Sequence, residues 1–280
     1  MAQSSMKDIR QRIRSVENTM QITKAMQLVA SSKLRGARKR MENSRPFLQE
    51  ARQAVRSLAG GQRDSHSIYL NKQPSEAVCL VVIAGDRGLA GSYNANVFKL
   101  AEEWLANKTA SVMPLGRKAR EYYAHRGYTL LPSELDKVDG AKPEQCEVLA
   151  RRLMEGYKAG EYGEVYIAYT TFQSVLTQRA KLIKVLPIDP PQEEKAHQML
   201  FEGSVDALLE GFLPQYLSGI LYAAICDSVV SEQAARRVAM DAATKNASEM
   251  IDDLTLRFNR ARQGSITQEL TEIVAGAESQ

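Results

Sequence analysis

The residues best placed to do chemistry are eight that follow the most apolar run in the chain: Gly85, Asp86, Arg87, Gly88, Leu89, Ala90, Gly91 and Ser92. A glycine-rich loop after a buried strand can turn backbone N–H groups toward a phosphate. A dinucleotide loop needs G-x-G-x-x-G, whereas the glycines here fall as G-x-x-G-x-x-G. A phosphate loop needs G-x-x-x-x-G-K-[ST], and no Lys follows any of these glycines. The loop is therefore expected to be a tight βα turn shaped by Gly85, Gly88 and Gly91, with Asp86 and Arg87 bonded locally or to a neighbour.

Other chemistry finds little support. His66, His125 and His197 are scattered, with no Cys or carboxylate at the spacing of metal ligands. Cys79, Cys146 and Cys226 fall in apolar surroundings without C-x-x-C spacing, as core thiols of a reducing compartment would. No run of eighteen apolar residues marks a membrane span. Lys7 makes the N-terminus charged, unlike a secretory signal. No cofactor and no catalytic group are expected.

The elements that hold the loop alternate. Residues 76–84 are a Val-rich run, as in a strand buried on both faces. An amphipathic helix is expected at 93–106, a strand at 111–116, a helix at 117–125 and a strand at 128–131. A helix opening on Pro143 should cover 143–158, and strands 164–172 and 180–187, with a turn between them. This predicts a small α/β domain with a mainly parallel sheet.

The ends of the chain differ. Residues 220–263 contain neither Gly nor Pro, and the first forty-five hold no Pro and only Gly36. As helix, 220–263 would span roughly 65 Å at 1.5 Å per residue, too long for an ordinary core. The N-terminal stretch has a seam at Ile9, Ile13, Val16, Met20, Thr23, Gln27, Ala30, Leu34, Ala37 and Met41, with a second line at Ile22, Met26 and Val29. That second line predicts an apolar face that drifts, as across a stutter. Its partner face runs through Ala243, Ala247, Met250, Ile251, Leu254, Phe258 and Ala261, then Ile266, Leu270, Ile273 and Ala277. Glu232 with Arg236, Asp241 with Lys245 and Asp253 with Arg257 stand four apart, as helix-surface ion pairs do. Up to Ser57 the net charge is +9, and from Ala207 onward it is −4. The expected fold class is thus an α/β domain plus a long antiparallel coiled coil formed by the N- and C-terminal helices. The expected division is rod helix 1–57, Rossmann-like domain 58–206 and rod helix 207–280.

MKDIR at 6–10, NTMQITKAM at 18–26 and VASSK at 29–33 resemble the N-terminal helix of gamma subunits of F-type ATP synthases. SEQAAR at 231–236, NRARQ at 259–263 and ITQELTEI at 266–273 are similar to that family's C-terminal signature, and DRGL at 86–89 to its loop. The chain departs from the family at Ala90, where Cys is usual, and at Gly264, where Ala is usual; the latter should weaken the helix locally by up to about 1 kcal/mol.

The resemblance implies a non-catalytic central rotor stalk, coupling ion flow through a membrane ring to ATP synthesis or hydrolysis. It implies alpha and beta subunits of the catalytic head, an epsilon subunit and the ring as partners, without nucleic acid or directly bound nucleotide. It places Arg262 and Gln263 at a polar catch, Met26 near acidic lever loops, and Ile266 and Leu270, with Ile273 and Val274, in an apolar bearing. Phe201 and Glu202 would form a ring-facing foot. The absence of a transit peptide before Met1 suggests the cytoplasmic face of a bacterial cell membrane.

Two other classes compete. A basic RNA-binding arm would interleave aromatics for stacking, but the N-terminal helix has none before Phe47. A nucleotide-dependent enzyme needs the missing phosphate loop. Calorimetric titration of the isolated chain with ATP or ADP should show no stoichiometric micromolar site; finding one would restore the enzyme reading.

Overall fold

The structure, a computed structural model, describes residues 2–60, 67–133, 135, 137–189 and 205–278. Two helices dominate: α1 (Ala2–Gly60) and α5 (Val205–Glu278). Between them lie β1 (Val78–Ile83), α2 (Tyr93–Leu105), β2 (Ala110–Leu115), α3 (Arg117–Tyr123), β3 (Thr129–Leu130), α4 (Pro143–Lys158), β4 (Glu164–Phe172) and β5 (Gln178–Leu186). Both long helices outrun the Gly- and Pro-free stretches. α1 continues through Pro46, and α5 through Pro214 and Gly264. Packing elsewhere along such helices outweighs the single N–H that proline removes.

The chain forms two compact units: Met1–Ala30 with Arg237–Gln280, and Ser31–Arg236. These divisions fall inside the long helices, unlike the 1–57, 58–206 and 207–280 scheme. The reason is that Leu34, Ala37, Met41 and Val55 of α1, and Leu209 to Ala234 of α5, share one apolar core with the sheet. An eighteen-residue window of α5 reaches a mean hydropathy of 1.2, yet 61% of it is buried. Its apolar side chains serve that core.

In the second unit the sheet order is β3-β2-β1-β4-β5, parallel except for the antiparallel β4–β5 pair. β1 is central and fully buried. Its side chains alternate: Cys79, Val81 and Ile83 join α4, α1 and α5, while Val78, Leu80 and Val82 join α2 and α3. α4 starts on Pro143, and Lys142 N–H donates to Gln145 Oε1 at 3.0 Å in a capping box. Between the long helices, Phe47 of α1 lies over Gly219 of α5. A Cβ at Gly219 would come within 2.6 Å of the Phe47 ring, so the ring lies directly on the glycine and a larger residue there would push it aside.

In the first unit α1 and α5 run antiparallel. Arg10 stacks over Phe258 with 5.2 Å to the ring centroid, Thr23 Oγ1 meets Thr244 Oγ1 at 2.8 Å, and Gln27 Nε2 donates to Asp241 Oδ1 at 2.9 Å. Numbers fall on α5 as they rise on α1, in one register. Ile9, Ile13, Val16, Met20, Thr23, Met26, Gln27 and Ala30 are sheltered positions, so of the second line only Met26 is partly covered. Ile22 and Val29 are exposed, so the apolar face does not drift to them. Hydrogen bonds at Thr23 and Gln27 let polar residues stay in the seam, and no stutter is needed.

Cysteines placed by T23C and T244C should form a disulfide under mild oxidation. T23C with L256C, twelve residues or about 18 Å farther along α5, should not. Bridging only in the second pair would overturn this register.

Candidate functional site

Two regions bear the residues singled out by sequence, one in each unit. In the second unit, β1 ends at the loop holding Gly85, Asp86, Arg87, Gly88 and Gly91. Asp86 is buried and organises it. Its Oδ1 accepts from the Arg117 N–H at 3.2 Å, and its Oδ2 from the N–H groups of Val138 at 3.0 Å and Asp139 at 3.2 Å. Arg117 Nε donates to the Asp86 carbonyl at 3.1 Å, and Lys118 N–H to that of Gly85 at 3.0 Å. Asn94 Oδ1 accepts from the Gly85 N–H at 2.9 Å. The Gly85 N–H and the carbonyls of Gly85 and Asp86 are thus engaged within the protein. Gly91 has φ of 56° and Leu89 61°, so the chain reverses through left-handed backbone before α2.

Sequence reasoning missed the partner on α5. Glu232 and Arg236, taken for a surface pair, are only 3% and 8% exposed. They form an ion pair, and Arg236 Nη2 also donates to the carbonyls of Arg87 at 3.5 Å and Gly88 at 3.3 Å. A Cβ on Gly85 would lie 2.9 Å from the Glu232 carboxyl, so the loop backbone is fitted around this side chain. Burial pushes the Glu232 carboxyl above its ordinary range, with Arg236 opposing. The Asp241–Lys245 and Asp253–Arg257 pairs, at 2.9 Å each, are the solvated contacts the spacing implied. The signal that could have separated them is Ser228 and Ser231 just upstream, both fully buried: polar residues on the inner face of α5.

A half-buried carboxylate lies five residues earlier on α5. Asp227 Oδ2 accepts from Thr171 Oγ1 at 3.4 Å, and its buried Oδ1 has no hydrogen-bond partner among the described residues. Desolvation raises its pKa, with Arg45, the Thr171 hydroxyl and Lys181 opposing.

In the first unit, Ser265 is the last buried position on α5 among the described residues. Arg262 and Gln263 are exposed just before it, and Ile266, Leu270, Ile273 and Val274 are 49–67% exposed after it. These six residues share one helix end. Met26 is half-buried on α1 beside exposed Ile22 and Val29. Phe201 and Glu202 lie outside the described residues. No group of three or more His, Cys, Asp or Glu among the described residues could hold a metal.

Residues 5–279 match the profile of a family described as ATP synthase. The chain is 42% identical to the ATP synthase gamma chain of Ruminococcus albus, over 96% of each chain. It is 38% identical to the sodium ion specific ATP synthase gamma chain of Acetobacterium woodii, over 98% of each. Among solved structures, a chain of the Euglena gracilis mitochondrial ATP synthase rotor has a TM-score of 0.70 at 18% identity, covering 94% of this chain and 99% of that one.

Asp227 yields a test by pH. Its folded-state pKa lies above the unfolded value, so its contribution to stability is fully present below about pH 4 and is lost as pH rises through the raised value. D227N cannot ionise. Thermal melts should show the variant gaining on the wild-type chain between acid and neutral pH; a gap constant with pH, or one moving the other way, would contradict the burial assigned to Asp227.

Proposed function

The chain belongs to the ATP synthase gamma-chain family, and from that premise we propose that it is the central rotor stalk of a bacterial F-type ATP synthase. It couples ion flow through a membrane ring to ATP synthesis or hydrolysis in a catalytic head, by rotation, and is not catalytic itself. Its partners are the alpha and beta subunits of the head, an epsilon subunit held by the α/β region, and the ring. Its place is the cytoplasmic face of the cell membrane, as a peripheral subunit.

The observation that carries this reading is the end of α5. An apolar stripe at Ile266, Leu270, Ile273 and Val274 stays exposed past the last seam residue, beside Arg262 and Gln263. Such a stripe suits a sleeve of apolar surface in which a helix turns with few directional bonds to break. Arg262 and the adjacent amide suit a charge-assisted contact to a carboxylate of a catalytic subunit. Met26, on an α1 whose first fifty-seven residues carry a net charge of +9, suits acidic lever segments of the same subunits. The segment holding Phe201 and Glu202, which leads into α5, is assigned to the ring contact.

Nucleotide is bound by the partners. The loop after β1 offers no Lys of the kind a phosphate loop needs, and the side chains of Asp86, Asn94 and Arg236 tie it to its surroundings in the second unit. Asymmetry does the work: a two-helix stalk with different faces presents each identical catalytic subunit with a different surface at each angle.

Replacing Arg262 and Gln263 together with Ala should lower ATP hydrolysis by the reconstituted complex several-fold, roughly 1 kcal/mol in the barrier, at unchanged subunit stoichiometry. R262E should lower it further, since it sets like charges against each other. Wild-type rates from a fully assembled complex would remove these two residues from the catch.

A further inference from the structure

The catch and the bearing lie at one end of α5, yet a stalk also has to carry torque between its α/β region and its helices. Apolar packing of α5 on the sheet resists separation, but it has little directionality and permits rotation or slippage between registers. Directional bonds to fixed groups are what index one element on another. Buried ion pairs add little net stability, and their attested use is to set register.

In the second unit one polar chain supplies such bonds. Arg236, fixed by Glu232, donates to the Arg87 and Gly88 carbonyls. The same loop continues into Asp86, whose Oδ2 takes the Asp139 N–H at 3.2 Å. The Asp139 carboxylate then meets α1 through Lys33 at 2.6 Å and Arg40 at 3.6 Å. α5, the end of β1, the loop before α4, and α1 are thereby joined at one place. Arg236 is also the last residue of this unit along α5.

We propose that Glu232 and Arg236 are positioning residues that key α5 to the β1 loop, so that torque passes between the α/β region and the long helices without slip. The proposal rests on the stalk reading. The contacts involved are internal to the chain and separate from every surface assigned to a partner.

The test uses the assembled membrane complex in inverted vesicles, reading ATP hydrolysis together with the membrane potential it generates, by a potential-sensitive dye. R236K keeps the charge but loses the planar fork that reaches two carbonyls. Hydrolysis should stay near the wild-type rate, while potential generated per ATP falls about fivefold, within the range of coupling-network substitutions. A short bis-maleimide joining cysteines introduced by R236C and G88C should restore coupling, because a covalent link replaces the key; the native cysteines are buried.

E232Q, nearly isosteric, provides the second variant and should show a smaller loss in the same ratio. Wild-type coupling in both assembled variants, or a formed bridge that restores nothing, overturns the proposal. Failure of both to assemble does so too, since the pair would then be a folding element. If the unaltered chain neither assembles with catalytic subunits nor supports a potential, the stalk reading itself is wrong.

Discussion

The structure depends on the pairing of two helices that begin and end the chain. α1 has fifty-nine residues and α5 seventy-four, far beyond what local propensity stabilises in water, so each needs a face to bury. Small residues make the pairing close: Ala30, Ala37, Ala234 and Ala247 are nearly fully buried, and Thr23 meets Thr244 through their hydroxyls. Antiparallel pairing of two termini needs a connection that reverses direction, and the α/β segment provides it. The sheet is therefore a required part of the helix pair. Its core is shared with α1 and α5, which explains why the compact units cut across the helices rather than falling at their ends.

That sharing creates a problem of alignment. A helix carrying Leu209, Leu213, Leu217, Ile220 and Leu221 would gain similar hydrophobic burial in several neighbouring registers on an apolar sheet. The buried polar residues of α5 remove this degeneracy. Ser228 accepts from the Thr170 N–H at 3.3 Å, Ser231 donates to the Thr170 carbonyl at 3.3 Å, and Arg236 donates to the β1 loop. A shift of α5 by one turn would keep the Glu232–Arg236 pair, which lies within the helix, but would take Arg236 away from the Arg87 and Gly88 carbonyls and Ser228 and Ser231 away from Thr170. The raised pKa of Glu232 reflects its burial: desolvation outweighs the arginine beside it.

Much of this was legible in the sequence because it follows from periodicity. The seam from Ile9 to Met41 reads directly, and α4 and β4 begin and end where Pro143, Lys158, Glu164 and Phe172 indicated. What could not be read depends on the third dimension. Glu232–Arg236 has the same spacing as Asp241–Lys245, and only the packing partner makes one buried and the other solvated. Ile22 and Val29 looked like a second seam because apolar residues at helical spacing do not declare which of two adjacent stripes a partner will cover. Their side chains remain on the surface, with hydrogen-bonded Thr23 and Gln27 in the seam instead. The rod helices expected over 1–57 and 207–280 already run through Pro46 and Pro214, and the structure keeps both prolines inside helix.

The same reasoning separates the two kinds of exposed apolar residue on the long helices. Ile22 and Val29 lie beside a covered seam, with half-buried Met26 between them, and a few exposed apolar side chains on a surface are ordinary. At the end of α5, Ile266, Leu270, Ile273 and Val274 recur at steps of three and four, continuing a helical stripe past the last buried position, Ser265. α1 pairs Arg10 with Phe258 and starts at Ala2, so in this register it ends where the exposed stripe begins. A contiguous exposed apolar stripe of this kind marks an interaction surface more often than scattered apolar residues do. Because its side chains are apolar, the contacts they offer are non-directional and can be made at many angles around the helix, whereas the polar groups of Arg262 and Gln263 can bond only in particular geometries.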